Sequence, residues 1–289
     1  MFLKELFSKP SFIAFYKDEE KYLLLCERYK KNTLINSETK TFEDKKSLSK
    51  YINEIIEDNP QTYVSTVLLS QNQGVVPSCD KKTYKEMKID IESVKMTCIK
   101  NSYSFYTTIY ELNFIKKEHP YIDFLYSAFA VIDFKSTLKH NTLYVLTTKE
   151  YSFFLIYQNK TAIFGDILEM NDDFQDIDNT EIEDISDLDL VDDFEDSLNE
   201  NVNSIEEFDN EDINIENTNY EKKIFELIQT VLKEYYDNGG DFIEKIFIFD
   251  TIGVEKTVTN IIKDELFIDT GITHTDILKT INEISRENV

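Results

Sequence analysis

Histidines, cysteines and carboxylates are the residues of this chain that could do chemistry, and their spacing limits what each can do. His119, His140 and His274 are scattered and stand in no catalytic motif. The sequence contains no GxSxG, no HExxH and no GxxxxGK[ST] phosphate loop. The three histidines are therefore expected to be ordinary surface or loop residues. No Ser or Cys carries the local signature of an activated nucleophile. Cys26, Cys79 and Cys98 are odd in number and lack CxxC spacing. That is a poor disulfide framework and no zinc site, so reduced, buried thiols are expected. Carboxylates are plentiful, with 56 Asp and Glu against 31 Lys and Arg. A calcium loop of the EF-hand kind needs oxygen ligands at positions 1, 3 and 5, glycine at 6 and glutamate at 12. Counted from Asp176, Asp178 and Thr180 fit, but Glu181 takes the glycine position and Asp187 the last. So partial a match is what chance gives in an acid-rich stretch. Neither a metal nor a cofactor is expected.

The hairpin bends offer a different chemistry. In TLYVLTTKEYSFFLIYQNKTAIFGDIL, residues 142 to 168, one strand runs from Thr142 to Thr148 and turns at Lys149 and Glu150. A second runs from Tyr151 to Gln158, turns at Asn159 and Lys160, and a third begins at Thr161. Phe12 to Tyr16 and Tyr22 to Arg28 form an earlier pair of apolar runs, separated by Lys17, Asp18, Glu19 and Glu20. Nucleotide-binding sheets often place Asp and Gly at such first turns. Glycine serves there because main-chain N–H groups must come close to phosphate oxygens.

The elements that must hold these bends alternate between strand and helix, which points to an α/β fold. Asp44 opens a helix whose Leu48, Tyr51, Ile52, Ile55 and Ile56 form one apolar stripe, ended by Asn59 and Pro60. Thr62 to Ser70 reads as a buried strand, and Gly74 and Pro77 as a loop. Val94 to Ile99 and Tyr103 to Tyr110 read as strands, and a strand to Tyr126 passes into a helix. Ile224 to Tyr235 is a helix stopped by Asn238, Gly239 and Gly240, with a glycine at hand for the left-handed cap. Ile243 to Phe249 is a strand, Val258 to Leu266 a helix, Leu266 to Asp269 a short strand and Ile277 to Ile284 a last helix.

Charge is distributed unevenly. Twenty-one acids and no Lys or Arg lie between Asn171 and Glu221, so the net charge of −25 falls to −4 for the remainder. So dense a run of like charge favours an expanded chain. Ile182, Ile185, Leu188, Val191, Phe194 and Leu198 recur within it at near-helical spacing, which suits a segment that folds against a protein partner. Nucleic acid is not an expected partner. Lys81, Lys82, Lys85 and Lys88 are interleaved with Asp80, Glu86 and Asp90 and read as solvated surface. No apolar run reaches the ~18 residues of a membrane span, and MFLKELFSKP lacks the apolar core of a signal peptide. A cytoplasmic location is expected.

The order of these segments resembles the actin-like cytoplasmic proteins of type IV pilus and type II secretion assembly platforms, of the PilM and GspL type. The leader MFLKELFSKP, the strand SFIAFY, the turn KDEE and the return strand KYLLLCER are similar to the family's opening. Residues 142 to 158 resemble the hairpin that opens its second lobe. EKKIFELIQTVLKEYY and FIEKIFIFDTIGVEKTVTNIIKDEL resemble its closing run. The resemblance implies a two-lobed actin-like (ribonuclease H-like) fold with mixed sheets. The first lobe would span residues 1–135 and the second 136–170 and 220–289, interrupted by a disordered acidic insertion at 171–219.

The family's phosphate turns are not matched. Tyr16 and Asp18 stand where Asp and Gly would align at the first turn, and Thr147 and Lys149 at the second. Of a glycine pair facing the adenosine only Gly253 remains, beside Asp250 and Thr251. Asp18, Glu19 and Glu20 would repel a phosphate, at ~4 kcal/mol for one like-charge pair at ~4 Å and an effective dielectric of about 20. What the resemblance implies is then a pseudo-ATPase: a non-catalytic cytosolic adaptor, peripheral at the inner membrane. It would grip the short tail of a single-span membrane protein and meet an assembly ATPase. The alternatives are a divergent actin-like ATPase and an acidic inhibitor that mimics nucleic acid. The acidic tract could also pack back on Lys81 to Lys88.

Overall fold

A computed structural model describes residues 9–31, 33–170, 215–254 and 256–289, with backbone alone for 215–219. Its first sheet begins with β1 (Ser11–Asp18), β2 (Lys21–Lys30) and β3 (Thr33–Phe42), an antiparallel meander. Helix α1 (Lys45–Asp58) follows, its first turn capped by the Asp44 carboxylate, which accepts from the Ser47 N–H at 2.8 Å. β4 (Thr62–Leu68) then pairs parallel to β1, and β8 (Phe124–Ser127) parallel to β4, giving the order β3-β2-β1-β4-β8. Alternation in β1 explains its unbroken apolar run. Ile13 and Phe15 pack with Leu48, Ile52 and Ile55 of α1, while Ala14 on the opposite face joins a second core.

The second sheet repeats this plan. β9 (Thr142–Thr147), β10 (Tyr151–Gln158) and β11 (Thr161–Glu169) form the meander. Helix α5 (Ile215–Asp237) leads to β12 (Lys245–Asp250), parallel to β9. Helix α6 (Thr257–Leu266) leads to β13 (Asp269–His274), parallel to β12, so the order is β11-β10-β9-β12-β13. α5 and α6 cover one face with Ile224, Ile228, Val231, Val258 and Ile262. Between the two sheets lie α4 (Ala128–Lys135) and α7 (Ile277–Glu287). Phe129 and Ile132 of α4 and Ile277 and Ile281 of α7 share one core with Ala14 of the first sheet and Leu146 and Phe153 of the second. A small sheet of β5 (Gln73–Val76), β6 (Val94–Ile99) and β7 (Tyr103–Thr108), in the order β5-β7-β6, completes the molecule with α2 (Lys81–Glu86) and α3 (Ile109–Glu118).

Several expectations are corrected. The segment around Gly74 is the strand β5, not a loop. Its glycine lets the backbone pass under the Tyr106 ring, which a Cβ would meet at 2.5 Å. The short strand expected at Leu266 to Asp269 lies later, because Phe267 takes the left-handed conformation (φ 57°) that ends α6, and β13 starts at Asp269. α5 begins at Ile215, earlier than the Ile224 at which the expected helix starts. Cys79 and Cys98 form a disulfide with their Cα atoms 5.5 Å apart, so only Cys26 is the buried free thiol expected of all three. The Asn159–Lys160 bend matches its expectation, with φ of 50° and 70°, as does Gly239 with φ 82° after α5.

Candidate functional site: the cleft between the two sheets

β1 and β9 hold equivalent places in their sheets, so the bends that follow them reach the same side of the molecule. Tyr16, Asp18 and Glu19 of the first bend face Thr148, Lys149 and Glu150 of the second across a cleft of about 140 Å³. Ile277 at the start of α7 and Thr251 and Ile252 after β12 complete its wall. The first bend turns tightly without glycine, with Glu19 at φ 53°. Asp18 and Lys149, expected only to obstruct, are themselves bonded. Lys149 Nζ lies 3.1 Å from Asp18 Oδ2 and 3.5 Å from Glu19 Oε2. The hydrogen bond to Asp18 outweighs partial burial and raises the Lys149 pKa. Burial, with Asp18 and Asp276 nearby, pushes the Tyr16 phenol up to about 12.

A second internal pairing lies at the end of β12. The buried carboxylate of Asp250 accepts from the Ile252 N–H at 3.0 Å and from the Gly253 N–H at 3.1 Å. Gly253 has φ 84°, and Thr251 Oγ1 donates to the Thr147 carbonyl at 2.7 Å, which ties the loop to β9. Two amides of the kind that cradle a phosphate in other proteins are thus already given to a carboxylate of the same chain. Asp250 and Thr251 were marked by the sequence only as neighbours of Gly253. The role of the Asp250 carboxylate was missed, and an Asp three residues before a glycine, at the end of an apolar strand, is the signal that could have found it.

A different groove, about 350 Å³, runs between the outer edge of β8 and the small sheet. Leu125 of β8, Ile99 of β6, Phe105 of β7 and Leu112 of α3 give it apolar walls, with Lys95 and Lys116 at the rim. β8 is the last strand of the first sheet, and among the described residues β4 is the one strand it is hydrogen-bonded to.

The histidines divide. His119 stands in a loop, as expected, but is buried there, packed edge-on to Phe15 and Tyr22 with Nδ1 2.9 Å from the Tyr121 hydroxyl. Burial and then Lys45 lower its pKa. His140 is exposed, and His274 is exposed at 3.9 Å from Asp250. The Lys81 to Lys88 lysines are exposed as expected. Ile182, Ile185, Leu188, Val191, Phe194 and Leu198, and the stretch from Asp176 to Asp187, lie outside the described residues. Among the described residues no cluster of His, Cys, Asp or Glu is arranged to hold a metal, and no helix is long and apolar enough to cross a membrane.

Two sheets of matching topology, each covered by helices and meeting at a cleft, define the actin-like fold. A Bacteroides thetaiotaomicron protein with actin-like ATPase fold and unknown function superposes with a TM-score of 0.52 at 10% identity, over 96% of this chain and 98% of that one. Also similar are the PilM–PilN type IV pilus biogenesis complex (TM-score 0.49, 9% identity, 94% of each chain) and the cytoplasmic domain of EpsL, an inner-membrane component of the Vibrio cholerae type II secretion system (0.46, 8%, 96% and 95%). No curated protein matches the sequence. Residues 7–133 match the family described as Domain of unknown function (DUF8569). Residues 143–289 match Domain of unknown function (DUF8341), and over that half of its length the chain belongs to this family.

Proposed function

We propose that the protein is a non-catalytic scaffold, a pseudo-ATPase that works from the cytosolic side of an inner-membrane assembly of the pilus, type II secretion or DNA-uptake kind. The observation that carries this reading is Lys149, which spans the cleft to Asp18 and Glu19 where a triphosphate would have to lie. A nucleotide would have to break those contacts, pass three carboxylates and displace Asp250 from the Ile252 and Gly253 amides. Isothermal titration with Mg-ATP tests the reading. No binding tighter than about 100 µM is expected. Tighter binding, with phosphate release above background, favours the divergent ATPase instead.

In this reading the apolar groove beside β8 takes the short tail of a single-span membrane partner. An extended segment adds its backbone to the outer edge of β8, sets alternate apolar side chains between Leu125 and Ile99, and directs an acid toward Lys95 or Lys116. An assembly ATPase is the second partner. Leu125→Arg is then expected to abolish recovery of a single-span protein from solubilised membranes while the fold is kept. Undiminished recovery removes the groove from the proposal.

A further inference from the structure

We propose that Cys79 and Cys98 are a reversible redox modification site, exchanging with low-molecular-weight disulfides and thiols, that sets the rigidity of one wall of the groove beside β8. The three cysteines differ in reach. Cys26 is buried, and burial raises its pKa, which leaves it unreactive. Cys98 is exposed and Cys79 partly so. Their Cα separation of 5.5 Å accepts a disulfide without movement of the backbone.

The position of the bridge gives it leverage. β6 is an outer strand of the small sheet and, among the described residues, pairs only with β7. Cys98 stands opposite Ser104 of β7, as does Val76 of β5 on the other side. The Ser104 hydroxyl donates to the carbonyl of Ser78, the residue next to Cys79. The disulfide therefore staples β6 across the middle strand to the chain leaving β5. Lys95, Thr97 and Ile99 alternate with Cys98 and line the groove, so the strand that carries the cysteine on one face supplies the groove wall on the other.

The step balances as thiol–disulfide exchange. One cysteine thiolate attacks a small disulfide RSSR and releases RS⁻, leaving a mixed disulfide. The second thiolate attacks the protein sulfur of that bond and releases the second RS⁻. The two protein thiol protons end on the two RSH products, and two electrons pass from the protein to RSSR. In a cytosol, where structural disulfides are rare, such a bridge is a signal more than a strut. That last point rests on the function proposed above. The site itself does not.

The test uses the full chain in glutathione disulfide and in reduced glutathione, with intact mass, thiol titration and hydrogen exchange. The oxidised protein is expected to be lighter by two hydrogens, with one titratable thiol after denaturation. On reduction, amides of Val94 to Ile99 exchange about tenfold faster or more. Cys98→Ser exchanges at the fast rate in both buffers, and Cys79→Ser reports the same if Cys98→Ser fails to fold. Three titratable thiols after oxidation, or exchange in β6 that ignores the redox state, overturns the proposal. Mg-ATP binding would overturn the scaffold reading and leave this result standing.

Discussion

Replacing Lys149 by alanine leaves Asp18 and Glu19 without the cation that spans the cleft. At 3.1 Å and an effective dielectric of about 20, the bare attraction to Asp18 would be ~5 kcal/mol. Lys149 is 41% exposed, so solvent screens most of that, and pairs of this kind measure about 0.2–1 kcal/mol. Asp18 is the less exposed carboxylate and loses its partner, which sets the cost near the top of the range, at about 1 kcal/mol. Thermal unfolding followed by circular dichroism is expected to show Tm lower by about 2–4 °C in low salt. In 1 M salt, where the Debye length is ~3 Å, the gap should shrink to less than half. The pH dependence has a definite sign. The folded pKa of Lys149 is raised, so its contribution is complete below the unfolded lysine value of about 10.4 and is lost only as pH climbs through the higher folded value. The difference between wild type and variant should therefore be flat from pH 7 to 9. An unchanged Tm in low salt, or a gap that widens with salt, would refute this account of the cleft.

Phe267→Gly is expected to stabilise the protein by about 0.5–1 kcal/mol in urea unfolding, because Phe267 holds φ 57° while 86% exposed, and glycine adopts that conformation freely. Gly165→Ala is expected to cost ~1–3 kcal/mol by the same measurement, since its Cβ would lie 2.3 Å from Val75 Cγ2 in the contact between β11 and β5. His119 has a lowered folded pKa, so its neutral form contributes stability that is present above pH ~6.5 and lost as pH falls through the folded value. Urea midpoints for wild type and His119→Gln should accordingly converge as pH drops from 8 to 5, and parallel curves would contradict the burial argument.

The hairpins and central strands were legible because burial on both faces turns them into unbroken apolar runs, as in β1, β9 and β10. β3 was not, because most of its residues from Thr33 to Phe42 face solvent and it exists only by pairing with β2. α3 was missed for a related reason: none of its residues is fully buried, so it carries little apolar stripe. β5 was hidden by Gly74, read as a breaker when it in fact makes room for Tyr106. At the cleft, the sequence identified Asp18 and Lys149 as occupants of turns where glycine would serve phosphate, but gave no sign that they meet. Partners so distant in the chain leave no local pattern. The Cys79–Cys98 bridge was invisible for the same reason: spacing cannot say which strands lie side by side.

α7 returns from β13 to lie on β1, β2 and β4, three of the first four strands made. Asn282 Nδ2 reaches the Phe12 carbonyl at 3.4 Å and Glu27 at 3.1 Å, the former across 270 positions of sequence. During synthesis the part of the first sheet that α7 covers therefore stays open until Ile281 and Ile284 have left the ribosome, with α4 the one helix of that core made earlier. The N-terminal half lacks its last covering helix as it emerges, and the strands left open are at risk of clumping throughout translation. Nonsense mutations before residue 277 should for that reason yield insoluble chains, not working fragments.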